Sequence, residues 1–201
     1  MVENLVMNLF SNLKVEELYH EEEHGGIGDL IVGSWYGVIH SKAYTEFGYY
    51  TDDTWWMDEI RECFHDDYGA IMETWKAAFE SMAESDDHEV LTEVGVYLAS
   101  AMYLNRNAMD VECVTQYSQA ISALENFGLL FEEILADEEL ALQNALESME
   151  DEADGAPLSQ LREAIKGAKR YDYESAGYHI GEFLVGAFTG IYETHHDDED
   201  D

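Results

Sequence analysis

Four Glu-x-x-His pairs are the residues of this chain best suited by type and spacing to do chemistry: Glu17/His20, Glu21/His24, Glu62/His65 and Glu193/His196. On a helix, residues three apart share a face. Two such pairs joined by two further glutamates make the ligand set of di-iron and di-manganese carboxylate bundles. The implied chemistry is metal-dependent oxygen or peroxide activation. A buried di-metal site needs its ligands within apolar helix faces, and three of the four pairs lie in acidic stretches near chain breaks. Glu62/His65 alone sits near a candidate core. A di-metal carboxylate enzyme is therefore a second alternative to the main reading.

Three other catalytic constellations are missing: a Gly-rich phosphate loop ending in Lys-Ser/Thr, GxSxG and CxxC. It has no twelve-residue calcium loop either. Cys63 and Cys113 fit one disulfide or two buried thiols. His65 stands two residues after Cys63, but no cationic cluster is there to lower its pKa. No catalytic residue and no required cofactor are expected.

Charge narrows the field further. The 201 residues carry 45 Asp plus Glu against nine Lys plus Arg, a formal net charge of -36. That balance excludes a nucleic-acid binder working by phosphate neutralisation, and it disfavours an anionic membrane surface. The acidity is open to three functional readings: tolerance of high salt, weak Ca²⁺ loading on surface carboxylates, or mimicry of a phosphate backbone. The 13 Tyr and eight Met weigh against a halophile composition. Acids spread through nearly every segment make a DNA-mimic inhibitor the first alternative only. The tail residues Asp197, Asp198, Glu199, Asp200 and Asp201 are the candidate weak cation ligands.

The elements that must position these residues read as nearly all helix. Leu5, Leu9 and Leu13 keep a helical period, as do Ile71, Trp75, Phe79 and Met82. Val111, Val114, Tyr117, Ile121 and Leu124 mark another segment. Leu130, Phe131, Ile134 and Leu135 continue an apolar face that Leu140, Leu142 and Leu146 carry on toward Glu150–Asp154. Pro157 restarts a helix at a position where its missing N–H costs nothing, and Gly167 is expected to end it. The stretch Tyr44–Tyr50 reads as an aromatic loop.

A twelve-residue pattern occurs near each end. Ile27–Val38 reads IGDLIVGSWYGV, Ile180–Ile191 reads IGEFLVGAFTGI, and a fainter copy, VGVYLASAMYLN, starts at Val94. Each copy follows another helix and a polar turn, so repeat units fall near residues 5–40, 75–105 and 159–192. Short turns predict antiparallel hairpins. The expected architecture is an all-α bundle of about ten helices, one domain over residues 1–192, with an acidic tail at 193–201.

Gly33 and Gly37 are four apart, as are Gly186 and Gly190. Glycine in a helix interior costs about 1 kcal/mol relative to Ala, so a close approach is expected there. Removing the Cβ lets another helix come near, as small-xxx-small faces do in membranes. That contact lies either within the chain, with the two strong copies packed about a pseudo-twofold axis, or between protomers. Trp55 and Trp56, with Tyr44, Phe47, Tyr49 and Tyr50 nearby, form a candidate recognition patch.

The run LREAIKGAKRYDYESAGYHIGEFLVGAFTGI, Leu161 to Ile191, resembles a helix–turn–helix element of small acidic helical proteins from ciliates and other single-celled eukaryotes. Those carry a Gly-Asp turn before a Gly-containing helix; here Tyr171-Asp172-Tyr173 stands in its place. The resemblance implies a secreted or granule-packed structural protein with no catalytic residues to carry over.

Met1–Tyr19 contains Glu3 and lacks a cationic region followed by an apolar run, so it does not read as an intact signal peptide. No apolar stretch reaches the roughly 20 residues needed to span a bilayer. Together these features predict a non-catalytic structural or assembly protein, homo-oligomeric or polymeric, with a weakly Ca²⁺-binding surface. A protein partner is compatible with the aromatic patch, and cytoplasmic residence is the alternative to secretion.

Overall fold

The computed structural model describes residues 26–51, 55–60, 115–151 and 153–193, together with 8, 9, 11, 12 and 112. Among them the chain is all-α, with seven helices and no strand: α1 (Gly26–His40), α2 (Lys42–Glu46), α3 (Trp56–Ile60), α4 (Ser118–Leu135), α5 (Glu138–Ser148), α6 (Pro157–Lys169) and α7 (Tyr173–Thr189). Of the sequence repeats, the third hairpin is α6–α7. The second unit, the first helix of the first unit for the most part, and both cysteines lie outside the described residues.

Helices with a wide apolar face must bury it, and α1 and α7 do so largely against each other. Leu30, Ile31, Val32, Trp35 and Val38 of α1 are buried, as are Ile180, Phe183, Leu184, Val185 and Ala187 of α7. The two run parallel and cross at four glycines. A Cβ on Gly33 would overlap the carbonyl oxygen of Glu174 and lie 2.9 Å from its carbon; one on Gly37 would do the same at Tyr178. From the other side, Gly177 meets the Leu30 carbonyl and Gly181 the Ser34 carbonyl. The hydrogens that replace these Cβ atoms point at carbonyl oxygens, the arrangement of Cα–H···O contacts between close helices.

This crossing does not follow the sequence repeat. Gly33 aligns with Gly186 but packs against Glu174, roughly three helical turns away. A pseudo-twofold pairing of the two copies is therefore not what brings α1 and α7 together. Gly186 makes ordinary contacts with Tyr192 and Pro157, at 3.4 and 3.5 Å from the Cβ position. Gly190 is left-handed (φ 68°), and its N–H bonds the Gly186 carbonyl to close the end of α7.

The α6–α7 hairpin is antiparallel, as its short turn predicts. The helix runs two residues past Gly167, the residue expected to end it. Gly167 sits inside α6, where a Cβ would lie 2.8 Å from the Ala176 nitrogen. The helix ends instead on Tyr171, which takes the left-handed conformation at φ 59°. The N–H of Asp172 bonds the Gly167 carbonyl at 3.1 Å, and that of Tyr171 bonds Ala168 at 3.2 Å. These are the two bonds of a Schellman motif. Asp172 then caps α7, its Oδ1 accepting from the Ser175 N–H at 3.1 Å.

The remaining helices cover this pair. Ser41 caps α2, so Tyr44 to Glu46, the start of the stretch Tyr44–Tyr50 expected as a loop, are helical: its hydroxyl accepts from the Tyr44 N–H at 3.2 Å. Tyr44 is buried, with its ring 6.2 Å from Phe127 of α4, and Phe127 in turn stands 6.0 Å from Trp35. On α5 the buried face is Ala141, Ala145 and Ser148, whereas Leu140 is 52% exposed and Leu142 and Leu146 are half-buried. Small residues let α5 reach the end of α7, where Asn144 donates to the Phe188 carbonyl (3.2 Å) and Ser148 to Ala187 (3.5 Å). Carbonyls that a helix end leaves without intrahelical partners are satisfied this way.

Candidate functional site

A cleft of about 300 Å³ opens where the start of α6, the middle of α7 and the α1–α2 junction meet. The glycine crossing builds it. With Gly37 seated beneath Tyr178, the end of α1 brings the His40 ring to 6.2 Å from the Tyr178 ring. The next residue, His179, faces α6 and stands 5.4 Å from Tyr178, ring to ring, at 89°. Glu182 follows one turn later.

Two hydrogen bonds order these side chains. Gln160 donates through Nε2 to the Gly155 carbonyl at 3.5 Å. That turns its Oε1 toward His179 Nδ1, 2.6 Å away. His179 therefore donates from Nδ1, and in the neutral ring Nε2 is the acceptor. The Tyr178 hydroxyl donates to Glu182 Oε1 at 3.2 Å. Glu182 Oε2 lies 3.9 Å from His179 Nδ1, too far for a hydrogen bond.

Electrostatics keep both groups neutral near pH 7. Burial pushes His179 below its usual range, against the pull of the Glu163 and Asp172 carboxylates. Burial, reinforced by the charge of Glu182 and the bond to it, pushes the Tyr178 phenol up to about 12. The cleft thus offers a neutral imidazole, a neutral phenol and a carboxylate. It can accept hydrogen bonds or a proton. Its two serines are engaged elsewhere: Ser41 donates to the Val38 carbonyl at 2.7 Å and Ser159 to Asp154 at 3.2 Å.

No protein-family model, curated protein or solved structure matches the chain. The site rests on its own geometry.

The residues singled out in the sequence fall differently. Gly33 and Gly37 are covered by α7 of the same chain, Gly186 faces Tyr192 and Pro157, and Gly190 faces Asn144. Trp56 is fully buried and belongs to the core, where Met57 and Ile60 join it. Trp55 is 50% exposed and stands edge-on to Tyr117 at 5.9 Å. Of the Glu-x-x-His residues only Glu193 is described, and it lines the cleft. The other seven, and the tail residues Asp197 to Asp201, lie outside the described residues. Among those described, no group of three or more His, Cys, Asp or Glu is placed to hold a metal ion, and no helix is long and apolar enough to cross a membrane.

His179 and Glu182 escaped sequence reasoning because their order, His-x-x-Glu, reverses the pattern sought. His40 and Gln160 join them only through packing. The one local signal was a Tyr-His pair directly before an apolar repeat containing Glu182.

Proposed function

We propose that this chain is a non-catalytic structural protein that assembles with further copies of itself. In this reading the whole chain forms about ten helices in duplicated hairpins, and its acidic surface binds cations weakly, Ca²⁺ among them. The observation that carries the reading is the exposure of Tyr50 (74%), Trp55 (50%) and Phe47 (37%). Tyr and Trp are the side chains that most often anchor interfaces. The two cleft serines, donating to Val38 and Asp154 rather than to His179, favour a role without nucleophilic chemistry.

Charge sets the condition for assembly. At -36 per copy, like charge opposes close approach until cations screen or bridge it. Light scattering across a Ca²⁺ titration, with Mg²⁺ and Na⁺ at matched ionic strength, tests this. Association driven by Ca²⁺ above the matched salts supports cation bridging; equal association in all salts supports screening alone. Replacing Tyr50 and Trp55 together by Ser is expected to abolish either. A monomer at every salt and Ca²⁺ concentration overturns the proposal. The resemblance of Leu161–Ile191 to helical elements of acidic protist proteins favours secretion or granule storage.

A further inference from the structure

We propose that the cleft between α6, α7 and the α1–α2 junction binds a small organic cation carrying a primary ammonium group. At about 300 Å³ it stands at the lower end of the range for small-molecule pockets. Its polar groups are preorganised as acceptors. Gln160 fixes the His179 tautomer from one side, leaving Nε2 to accept, and Tyr178 holds the Glu182 carboxylate from the other.

The remaining lining points to the same class of ligand. Tyr178 and Tyr192 both line the cleft, and aromatic rings suit a cation through their faces. Asp154, Glu163 and Glu193 add negative charge. Lys42, the one Lys or Arg among the lining residues, is drawn to Glu46 on its own helix at 3.7 Å. An anion would meet four lining carboxylates, with Lys42 drawn to Glu46 and Lys166 held by Glu163, and a neutral alcohol would forgo the charge. An ammonium group supplies three donors to a site rich in acceptors. A metal ion is the weaker fit, because no three ligating side chains among the described residues converge.

The test is a titration of the full chain with 1,4-diaminobutane, followed by the His179 ring resonances in NMR and by calorimetry. It is run at about 150 mM NaCl, where long-range attraction between exposed charges is largely screened. Saturable binding that moves the His179 signals is expected, with no response to 1,4-butanediol. Glu182→Gln is expected to weaken it about tenfold, the loss of one charge-assisted hydrogen bond. Tyr178→Phe is expected to weaken it less, since the ring remains. Glu139→Gln removes the same charge from an exposed position on α5 and is expected to leave affinity unchanged. Equal weakening by Glu139→Gln and Glu182→Gln, or non-saturable binding, would reduce the effect to general attraction to an acidic surface and overturn the assignment. Binding that leaves the His179 resonances unmoved would overturn it as well.

Discussion

Gly33 on α1 faces the backbone carbonyl of Glu174 on α7 so closely that a methyl group in place of its hydrogen would overlap the oxygen. A side chain in that position could rotate away, but a carbonyl held in the helix backbone cannot. Gly33→Ala and Gly181→Ala are each expected to cost about 3 kcal/mol or more, overpacking outweighing the gain of about 1 kcal/mol in helix propensity. For a chain of this size that lowers Tm by roughly 10 °C.

Gly186→Ala is expected to behave oppositely, although the repeat aligns Gly186 with Gly33. Its Cβ position is 3.4 Å from Tyr192 and 3.5 Å from Pro157, ordinary contact distances. Stability should stay level or rise by up to about 1 kcal/mol. Thermal unfolding of the three variants side by side checks both statements. Equal losses at Gly33 and Gly186 would contradict the crossing described here.

The turn before α7 carries a strain that one substitution should relieve. Tyr171 is left-handed at φ 59°, a conformation costing a residue with a Cβ about 1–2 kcal/mol. The ring is 40% exposed, and its edge contact with Tyr173 at 6.4 Å is the packing at risk. Tyr171→Gly is expected to stabilise the chain by about 1 kcal/mol, raising Tm by 2–4 °C. A lower Tm would mean that the ring contact outweighs the backbone strain.

His179 should titrate below the ordinary histidine value of 6.5, because burial disfavours its charged form. The unfolded chain takes up the proton first as pH falls. The stability contributed by this group is therefore complete above 6.5 and declines as pH drops from there toward the folded pKa. A ring titration by NMR gives the midpoint, and the nitrogen shifts give the Nδ1–H tautomer. Gln160→Glu puts a carboxylate beside Nδ1 and is expected to raise the midpoint. An unchanged midpoint in that variant would place Gln160 away from the ring in solution.

Tyr178 marks the alkaline side. Its phenol is raised from 10.0 to about 12 by burial and then by Glu182. Here the folded state holds the proton more tightly. Its contribution is fully present below pH 10 and is lost as pH climbs through about 12. Denaturant unfolding at successive pH values across that window should show a steeper loss for the native chain than for Tyr178→Phe. Parallel slopes would remove Tyr178 as a source of the alkaline dependence.

Much of the helical content was legible from the residues alone. Period and caps mark helices locally, so Pro157 opens α6 and the apolar run after Ile27 fills α1. The need for a close approach at Gly33 and Gly37 could also be read, because glycine is costly in a helix unless something occupies its space. The partner could not. Several pairings were open, and the one adopted sets Gly33 and Gly37 against the Glu174 and Tyr178 carbonyls, with Gly177 and Gly181 against those of Leu30 and Ser34, passing over Gly186 and Gly190. The short helix α2 was hidden by the aromatic stretch Tyr44–Tyr50 that overlaps it; its signal was Ser41, an N-cap whose side chain reaches the Tyr44 N–H.

Composition and periodicity by themselves determined the all-α class of the described residues, the extreme net charge and the lack of an apolar stretch long enough to span a bilayer, since these depend on counts and on spacings within one turn. Tertiary structure alone decided which helix lies against which, and with it the cleft. His40, Gln160, His179 and Glu182 come from three helices, and their meeting depends on how deeply Gly37 lets α1 settle against Tyr178. Side-chain chemistry is written residue by residue, but the distance between two helix backbones is a sum over the whole packed interface, and no local spacing contains it.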